Sequence, residues 1–287
     1  MILGQIEYTF CMKSLILILR TIRHISRQLF VDFTNSYKYK TSYIDDKKVF
    51  TITTDCGNIL VPNHKFNDLI ITHIKKNLIY DRYIADLMIE YYYKSTNKGL
   101  ILDIGASFGQ MSLYVANSIV NSNHKALIGP MLISVEGEPL TYKLLTRNIQ
   151  NNGFSSVIES HGIIAWSAQT LVNFPIPDLK KFDSWGSYGV EPLKGSKERL
   201  LKTNTIDFIV NNRNVSVIKL DIQGSEFNAL QGCLQTITKS KPVIIFEFEH
   251  KLSLSLGVTF KDYLNLIESY DYKFLDIRYP NFIVGPN

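Results

Sequence analysis

An α/β fold built on a mostly parallel sheet, with helices on both faces, is predicted by three observations on this chain of 287 residues. From Gly99 onward, short apolar runs alternate with amphipathic stretches, the pattern of buried strands joined by crossover helices. Two runs, Leu100-Ile101-Leu102-Asp103-Ile104-Gly105-Ala106-Ser107-Phe108-Gly109 and Ile218-Lys219-Leu220-Asp221-Ile222-Gln223-Gly224-Ser225-Glu226, pass through an Asp into a Gly turn and a helix. Such turns bring polar groups to one edge of a parallel sheet, where open α/β proteins bind ligands. Composition is the third observation, since 45% hydrophobic and 20% charged residues suffice for one large domain.

Residues 1–46 read as an N-terminal extension. Within it Leu15, Ile18, Leu19, Ile22, Ile25 and Leu29 recur at helical spacing, punctuated by Lys13, Arg20, Arg23 and Arg27, which predicts a basic amphipathic helix. The run Leu15–Leu19 is far short of the roughly 20 residues that span a bilayer. The helix is expected to dock on the domain, with weak membrane-surface contact through residues 13–30 as the alternative.

The domain then occupies 47–287, with a leading hairpin and helices in 47–98 and the sheet core in 99–287. Val49–Thr54 and Ile59–Val61 flank Asp55-Cys56-Gly57-Asn58, a hairpin signal around a Gly-Asn turn, and Tyr83–Tyr92 is helical. Seven strands centre on Ile101, Ile133, Val157, Ile218, Ile244, Leu275 and Ile283. Helices are expected over Met111–Val120, Leu140–Ile149, Ser225–Ile237 and Phe260–Tyr270. Only a Tyr-Pro turn separates the last two strands, too short for a helical crossover, so they should pair antiparallel.

The net charge of +5 is scattered, which gives no footprint for a nucleic-acid partner. Cys11, Cys56 and Cys233 lie far apart, so neither a disulfide framework nor a zinc site is expected. A reducing, cytoplasmic setting fits.

In the first motif, Gly105 and Gly109 flank a turn where backbone can approach a ligand, although strand-to-helix turns also take glycine for geometry alone. The spacing departs from the dinucleotide fingerprint and lacks the Gly-Lys-Ser/Thr ending of a phosphate loop. Glu136, about thirty residues on at the end of the next strand, is placed to accept both hydroxyls of a ribose. Glu138 reads either as a surface acid or as a partner of the next helix's N-terminus, with Pro139 in its first turn.

These residues resemble the FkbM-type S-adenosylmethionine-dependent methyltransferases over roughly Val49 to Pro286. The likeness rests on Leu102-Asp103-Ile104-Gly105-Ala106, on Glu136 with Pro139 and Asn148, on Ile218-Lys219-Leu220-Asp221 with Gly224 and Glu226, and on Asn281-Phe282-Ile283-Val284. Three departures stand out: Gly137 where the family usually has Pro, Gln223 where it usually has Glu, and Ser107 where it often has Asn. The resemblance implies a Rossmann-like class I methyltransferase fold, S-adenosylmethionine as cofactor, and O-methylation of a sugar, glycan or small-molecule hydroxyl. It also implies a cofactor site from Asp103, Gly105, Ala106, Ser107, Phe108, Gly109, Glu136 and Asp221, with adenine near Gly162 and Ile163.

Methyl transfer from a sulfonium demands in-line alignment and removal of a proton from a neutral acceptor. Asp221, Glu226 and His250 are the candidates on the acceptor side, Asp221 to orient the acceptor or the cofactor's ammonium group and His250 as a base. The alternative for Asp221 and Glu226 is a helix-capping network. His161 has the alternative of a partly buried strand-end histidine. No metal is expected from Asp221, Glu247, Glu249 and His250, because alternation turns Phe248 away from its acidic neighbours. The loop Phe182–Val190 is expected to cover a ligand, with Trp185 as a stacking platform. Rival functions are a noncatalytic ligand-binding module of the same fold and a nucleic-acid or protein methyltransferase.

Overall fold

The computed structural model describes residues 40–45, 47–63, 68–122, 129–176, 189–191 and 196–287. The amphipathic helix expected at 15–29, and Cys11, lie outside the described residues. The chain divides into units 1–42 and 43–287, and the second contains the elements described below apart from the first residues of β1 (Lys40–Ile44).

Seven strands form the main sheet: β4 (Leu100–Ile104), β5 (Leu132–Val135), β6 (Ile158–His161), β10 (Val215–Leu220), β11 (Val243–Glu247), β12 (Tyr272–Arg278) and β13 (Asn281–Pro286). Their order is β12-β13-β11-β10-β4-β5-β6. The strands β6, β5, β4, β10 and β11 run parallel, while β13 is antiparallel to both β11 and β12. Succession runs outward from β4 through β5 to β6, then restarts on the other side at β10. The β4–β10 seam is therefore the topological switch point, where such sheets open a ligand crevice. Every residue of β4, β5 and β10 is buried, which explains their near-continuous apolar sequences.

Helices α2 (Arg82–Lys94), α3 (Gln110–Ser122), α4 (Pro139–Asn151) and α9 (Phe260–Ser269) match the predicted periodicities. The short α1 (Leu69–Lys75) and α5 (Ile206–Val210) were not anticipated. The stretch expected as one helix from Ser225 to Ile237 is two, α6 (Glu226–Gln231) and α7 (Leu234–Ser240). The break has a local cause. The Gly232 carbonyl accepts from Asp207 N at 3.0 Å instead of continuing the ladder, and the Asp207 carboxylate takes the first amides of α7, Gln235 N at 2.9 Å and Thr236 N at 2.7 Å. A Cβ on Gly232 would lie 2.1 Å from the Trp166 carbonyl oxygen. The strand centred on Val157 begins one residue later, at Ile158.

One face of the sheet packs Leu102, Ile104, Ile218 and Leu220 into an apolar cluster with Leu230, Ile237 and Tyr263 from the helices. The opposite face carries a buried polar row in register across the seam, Lys219 beside Asp103 and Asp103 beside Ser134. From α3, Ser112 Oγ donates to Asp103 Oδ2 at 2.6 Å and lies 2.8 Å from Ser134 Oγ.

The leading hairpin pairs β2 (Lys47–Thr54) with β3 (Gly57–Pro62), and its reversal falls on Asp55-Cys56 rather than Gly57-Asn58. Asn148 on α4 and Asn152, the C-cap residue one turn on, hold the outer edge of β3. Asn148 Oδ1 accepts from Leu60 N at 2.7 Å, and its amide donates to Leu60 O at 3.0 Å and to Phe108 O at 2.8 Å. Asn152 does the same for Asn58 N and Asn58 O, each at 2.8 Å. Asn148 thus ties the hairpin to the turn of the first motif. Replacing it by Ala leaves three backbone groups unpaired, and the expected loss is about 2–4 kcal/mol, measured by urea unfolding; Asn152→Ala, at a half-buried position, should cost less.

A second small sheet joins β7 (Ile164–Ala165), β9 (Lys197–Asn204) and β8 (Leu171–Ile176), with β9 in the middle. It packs Ile164 and Phe174 together beside the carboxyl end of β6.

Candidate functional site

A cleft opens at the carboxyl ends of β10, β4, β5 and β6. The turn after β4 contributes Gly105 and Ser107, the end of β5 Glu136, Gly137 and Glu138, and the turn after β10 Asp221, Ile222, Gln223 and Ser225. Ile163, Ile164, Ala165 and Phe174 form an apolar wall at the β6 end, and Ile70, Gly189 and Val190 complete the lining. The lining suits a small polar ligand with one flat apolar part.

The glycine of the first turn is explained by protein rather than ligand. Gly105 has φ +84°, and a Cβ there would lie 1.8 Å from the Asp221 carbonyl oxygen. The close approach is between the two motif turns, sealed by Asp221 N donating to Ile104 O at 3.0 Å. The amides of Gly105 and Ala106 are both spent on Val135 O, at 2.9 and 3.0 Å. Ser107, at φ +50°, lines the cleft with a hydroxyl that has no partner.

Glu136 is the organised carboxylate of the cleft. Its Oε2 accepts from Ser107 N at 3.0 Å and its Oε1 from Glu138 N at 2.8 Å. One amide on each oxygen fixes the orientation and leaves both oxygens able to accept again. Burial pushes its pKa up to about 7 against the pull of those amides. Glu138, far from being a surface acid, is buried. It caps α4 by accepting from Thr141 N at 2.6 Å, and it pairs with Arg199 of β9 at 2.5 Å. The glycine at 137, where the family usually has Pro, is likewise a packing requirement, since its Cβ would lie 2.7 Å from Ile164 Cγ1.

On the other side of the cleft, Gln223 at φ +54° donates from Nε2 to Asp221 Oδ1 at 3.2 Å and to Glu247 Oε2 at 3.3 Å. Its amide does what a carboxylate there could not, bridging two acids without adding a third charge. Burial and the nearby Asp221 charge push Glu247 up to about 9. Glu226 turns away from the cleft into the turn itself, accepting from Ile222 N at 2.8 Å. Burial raises it to about 8 although the amides of Ile222, Gly224 and Glu226 all favour its charge. Beneath both turns, Lys219 Nζ donates to Gly105 O at 3.0 Å and lies 3.1 Å from Asp103 Oδ1 and 3.5 Å from Asp221 Oδ2.

Of the residues anticipated for cofactor binding or catalysis, the cleft brings together Gly105, Ser107, Glu136, Ile163 and Asp221. Asp103 is fully buried below it, and Ala106, Phe108 and Gly109 shape the turn from inside. A Cβ on Gly162 would lie 2.5 Å from the Tyr142 ring, so that glycine makes room for an aromatic neighbour. His161 Nε2 lies 2.6 Å from Glu159 Oε1, in keeping with the strand-end alternative. His250 does not join the cleft: β11 ends at Glu247, and His250 is exposed at the start of α8 (His250–Ser255), beside the Phe248 ring. Trp185 lies outside the described residues. The sequence marks of the wall formed by Ile164, Ala165 and Phe174 are weak: Ile164-Ala165 extends the apolar run begun by Ile163, and Phe174 sits beside Pro175 in β8. Among the described residues no helix is long and apolar enough to cross a membrane, and no group of three or more His, Cys, Asp or Glu side chains could hold a metal ion.

A family model described as the methyltransferase FkbM domain matches residues 103–274, more than half of the chain. Solved structures similar to the chain include a methyltransferase FkbM from Methylobacillus flagellatus KT, 22% identical, TM-score 0.44, over 69% of this chain and 50% of that one. WbdD is 10% identical, TM-score 0.43, over 75% and 42%. A methyltransferase from Geobacter sulfurreducens is 10% identical, TM-score 0.38, over 75% and 83%. The chain thus spans half the length of the first of these. No curated protein matches it.

Proposed function

This chain belongs to the FkbM methyltransferase family and has its Rossmann-like class I fold, and on that premise we propose that it is an S-adenosylmethionine-dependent methyltransferase acting on a hydroxyl of a sugar, glycan or small molecule. The observation that carries the reading is Glu136, oriented by two amides with both oxygens still able to accept, beside the unpartnered Ser107 hydroxyl in the switch-point cleft. These groups fit a nucleoside: Glu136 accepts the two ribose hydroxyls, and Ile163, Ile164, Ala165 and Phe174 offer the adenine an apolar wall. The cofactor, when bound, supplies an electrophilic methyl group on sulfur.

The chain's own work is to hold, orient and exclude water. Asp221 stands at the seam and orients the acceptor hydroxyl, whose proton must leave as the new bond forms. Gln223 fixes Asp221 from one side and Lys219 supports it from below. The described cysteines, Cys56 and Cys233, are buried and free, in keeping with a reducing, cytoplasmic setting.

The test is titration calorimetry with S-adenosylmethionine, then transfer of a labelled methyl group to glycans, small alcohols, protein and RNA with product mapping. Binding with transfer to a hydroxyl is the expected result. No binding overturns the enzyme, binding without transfer to any acceptor favours the noncatalytic module, and transfer to RNA or protein alone overturns the acceptor class.

A further inference from the structure

The turn after β10 holds a hydroxyl with nothing to do. Ser225 is 1% exposed, lines the cleft, and its Oγ has no hydrogen-bond partner. A serine just before a helix ordinarily accepts an amide of the first turn, but here Phe227 N donates to the Tyr263 hydroxyl at 3.0 Å, and Ser225 makes no such bond. An unpaired buried hydroxyl is costly, and its retention asks for a reason. Gln223 and Gly224 are consecutive left-handed residues, at φ +54° and +93°, and a Cβ on Gly224 would lie 2.8 Å from Leu252 Cβ.

Several neighbouring donors serve groups of the protein itself. Gly105 N and Ala106 N serve Val135 O, and Ser107 N serves Glu136. The Gln223 side chain reaches Asp221 and Glu247, and the amides of Ile222, Gly224 and Glu226 are directed at the Glu226 carboxylate. Asp221 lacks a proton to give when ionised. The other unpartnered hydroxyl lining the cleft, Ser107, belongs to the turn whose amide holds Glu136, toward the ribose.

On the reading proposed above, the strand order β10-β4-β5-β6 lays the ligand out with adenine toward β6, ribose at β5 and the amino-acid end toward β10. That end carries an anionic α-carboxylate, which needs a donor. We infer that Ser225 is a cofactor-positioning residue whose hydroxyl donates to the α-carboxylate of S-adenosylmethionine. The inference rests on the proposed function and goes beyond it, by assigning the cofactor's anionic end to one side chain.

Calorimetry on the full chain tests it with two probes, S-adenosylhomocysteine and 5′-methylthioadenosine, which lacks the amino-acid portion. Ser225→Ala should weaken S-adenosylhomocysteine about 10- to 100-fold, as for a lost bond to a charged group, and leave methylthioadenosine unchanged. Ser225→Thr, which keeps the hydroxyl, should restore most of the affinity. The unliganded Ser225→Ala protein should melt no lower than wild type, because the hydroxyl it loses is unpaired in the free fold. Equal weakening of both probes, or a lowered melting temperature with binding unchanged, would make the role structural and overturn the inference. Unchanged affinity for both probes also overturns it. Failure of wild type to bind either probe would instead overturn the cofactor assignment, and with it this inference.

Discussion

Replacing Glu136 by Ala is expected to weaken S-adenosylmethionine binding by at least about 100-fold, the loss of two hydrogen bonds to a charged acceptor. Calorimetry on Glu136→Ala and Glu136→Gln checks it. The two variants differ in kind. Gln keeps one oxygen for an amide but turns an NH₂ toward the other, so both the anchoring by Ser107 N and Glu138 N and the outward acceptance are compromised. Binding should also depend on pH. Burial raises Glu136 to about 7, and the ionised form is the better acceptor for two hydroxyls. Affinity therefore rises as pH climbs through about 7 and levels off above, and Glu136→Gln should flatten that rise. The same shift acts on the free fold with the opposite sense. A carboxyl whose folded pKa lies above its unfolded one favours the fold at low pH, and that contribution is lost as pH rises through the folded value. The unliganded protein should thus lose stability as pH rises from 4.5 to about 7, while it gains affinity. Affinity that is independent of pH in the wild type would remove Glu136 from the ribose.

The parts of this molecule that could be read in advance are those where one physical demand dominates a stretch of chain. Strands buried on both faces must be almost wholly apolar, so β4, β5 and β10 announced themselves, and a carboxylate at the end of β5 stood out against Leu132-Ile133-Ser134-Val135. The parts that could not be read are set by contacts distant in sequence. Gly105 looked like room for a ligand, yet the atom that fills its space is the carbonyl of Asp221, more than a hundred residues on. Glu138 looked like a surface acid because its partner, Arg199, sits on β9, whose sequence Lys-Glu-Arg-Leu-Leu-Lys-Thr-Asn is half-exposed and too charged to signal a strand. His250 was carried toward the cleft by extending the alternation of β11, but the strand ends at Glu247 and the chain turns into a helix. Gln223, legible only as a departure from the family, proves to be the donor that lets Asp221 and Glu247 sit together.

The largest effect on stability should come from Lys219, and its size follows from what the ammonium group leaves behind. Lys219 is 5% exposed and Asp103 is fully buried. Asp103 Oδ2 is served by Ser112, but Oδ1 receives no well-aligned hydrogen bond and is balanced by the ammonium charge 3.1 Å away. Burial works against the charge on Lys219, yet Asp103 and Asp221 outweigh it and hold its pKa above the ordinary lysine value. Lys219→Met matches much of the volume and removes the charge, so an ionised Asp103 must be kept without compensation or take up a proton. The expected loss is about 3–5 kcal/mol, read from urea unfolding at pH 7. Adding Asp103→Asn should recover a large part of it, because the double variant no longer buries an unpaired charge. The coupling has a functional side as well: Lys219 also donates to Gly105 O and faces Asp221, so the double variant should be stable yet bind the cofactor less well. A single-variant loss below about 1 kcal/mol would mean that Asp103 is neutral in the folded protein, and that the two strand ends are aligned by the apolar packing of β4 against β10 instead of by this ion pair.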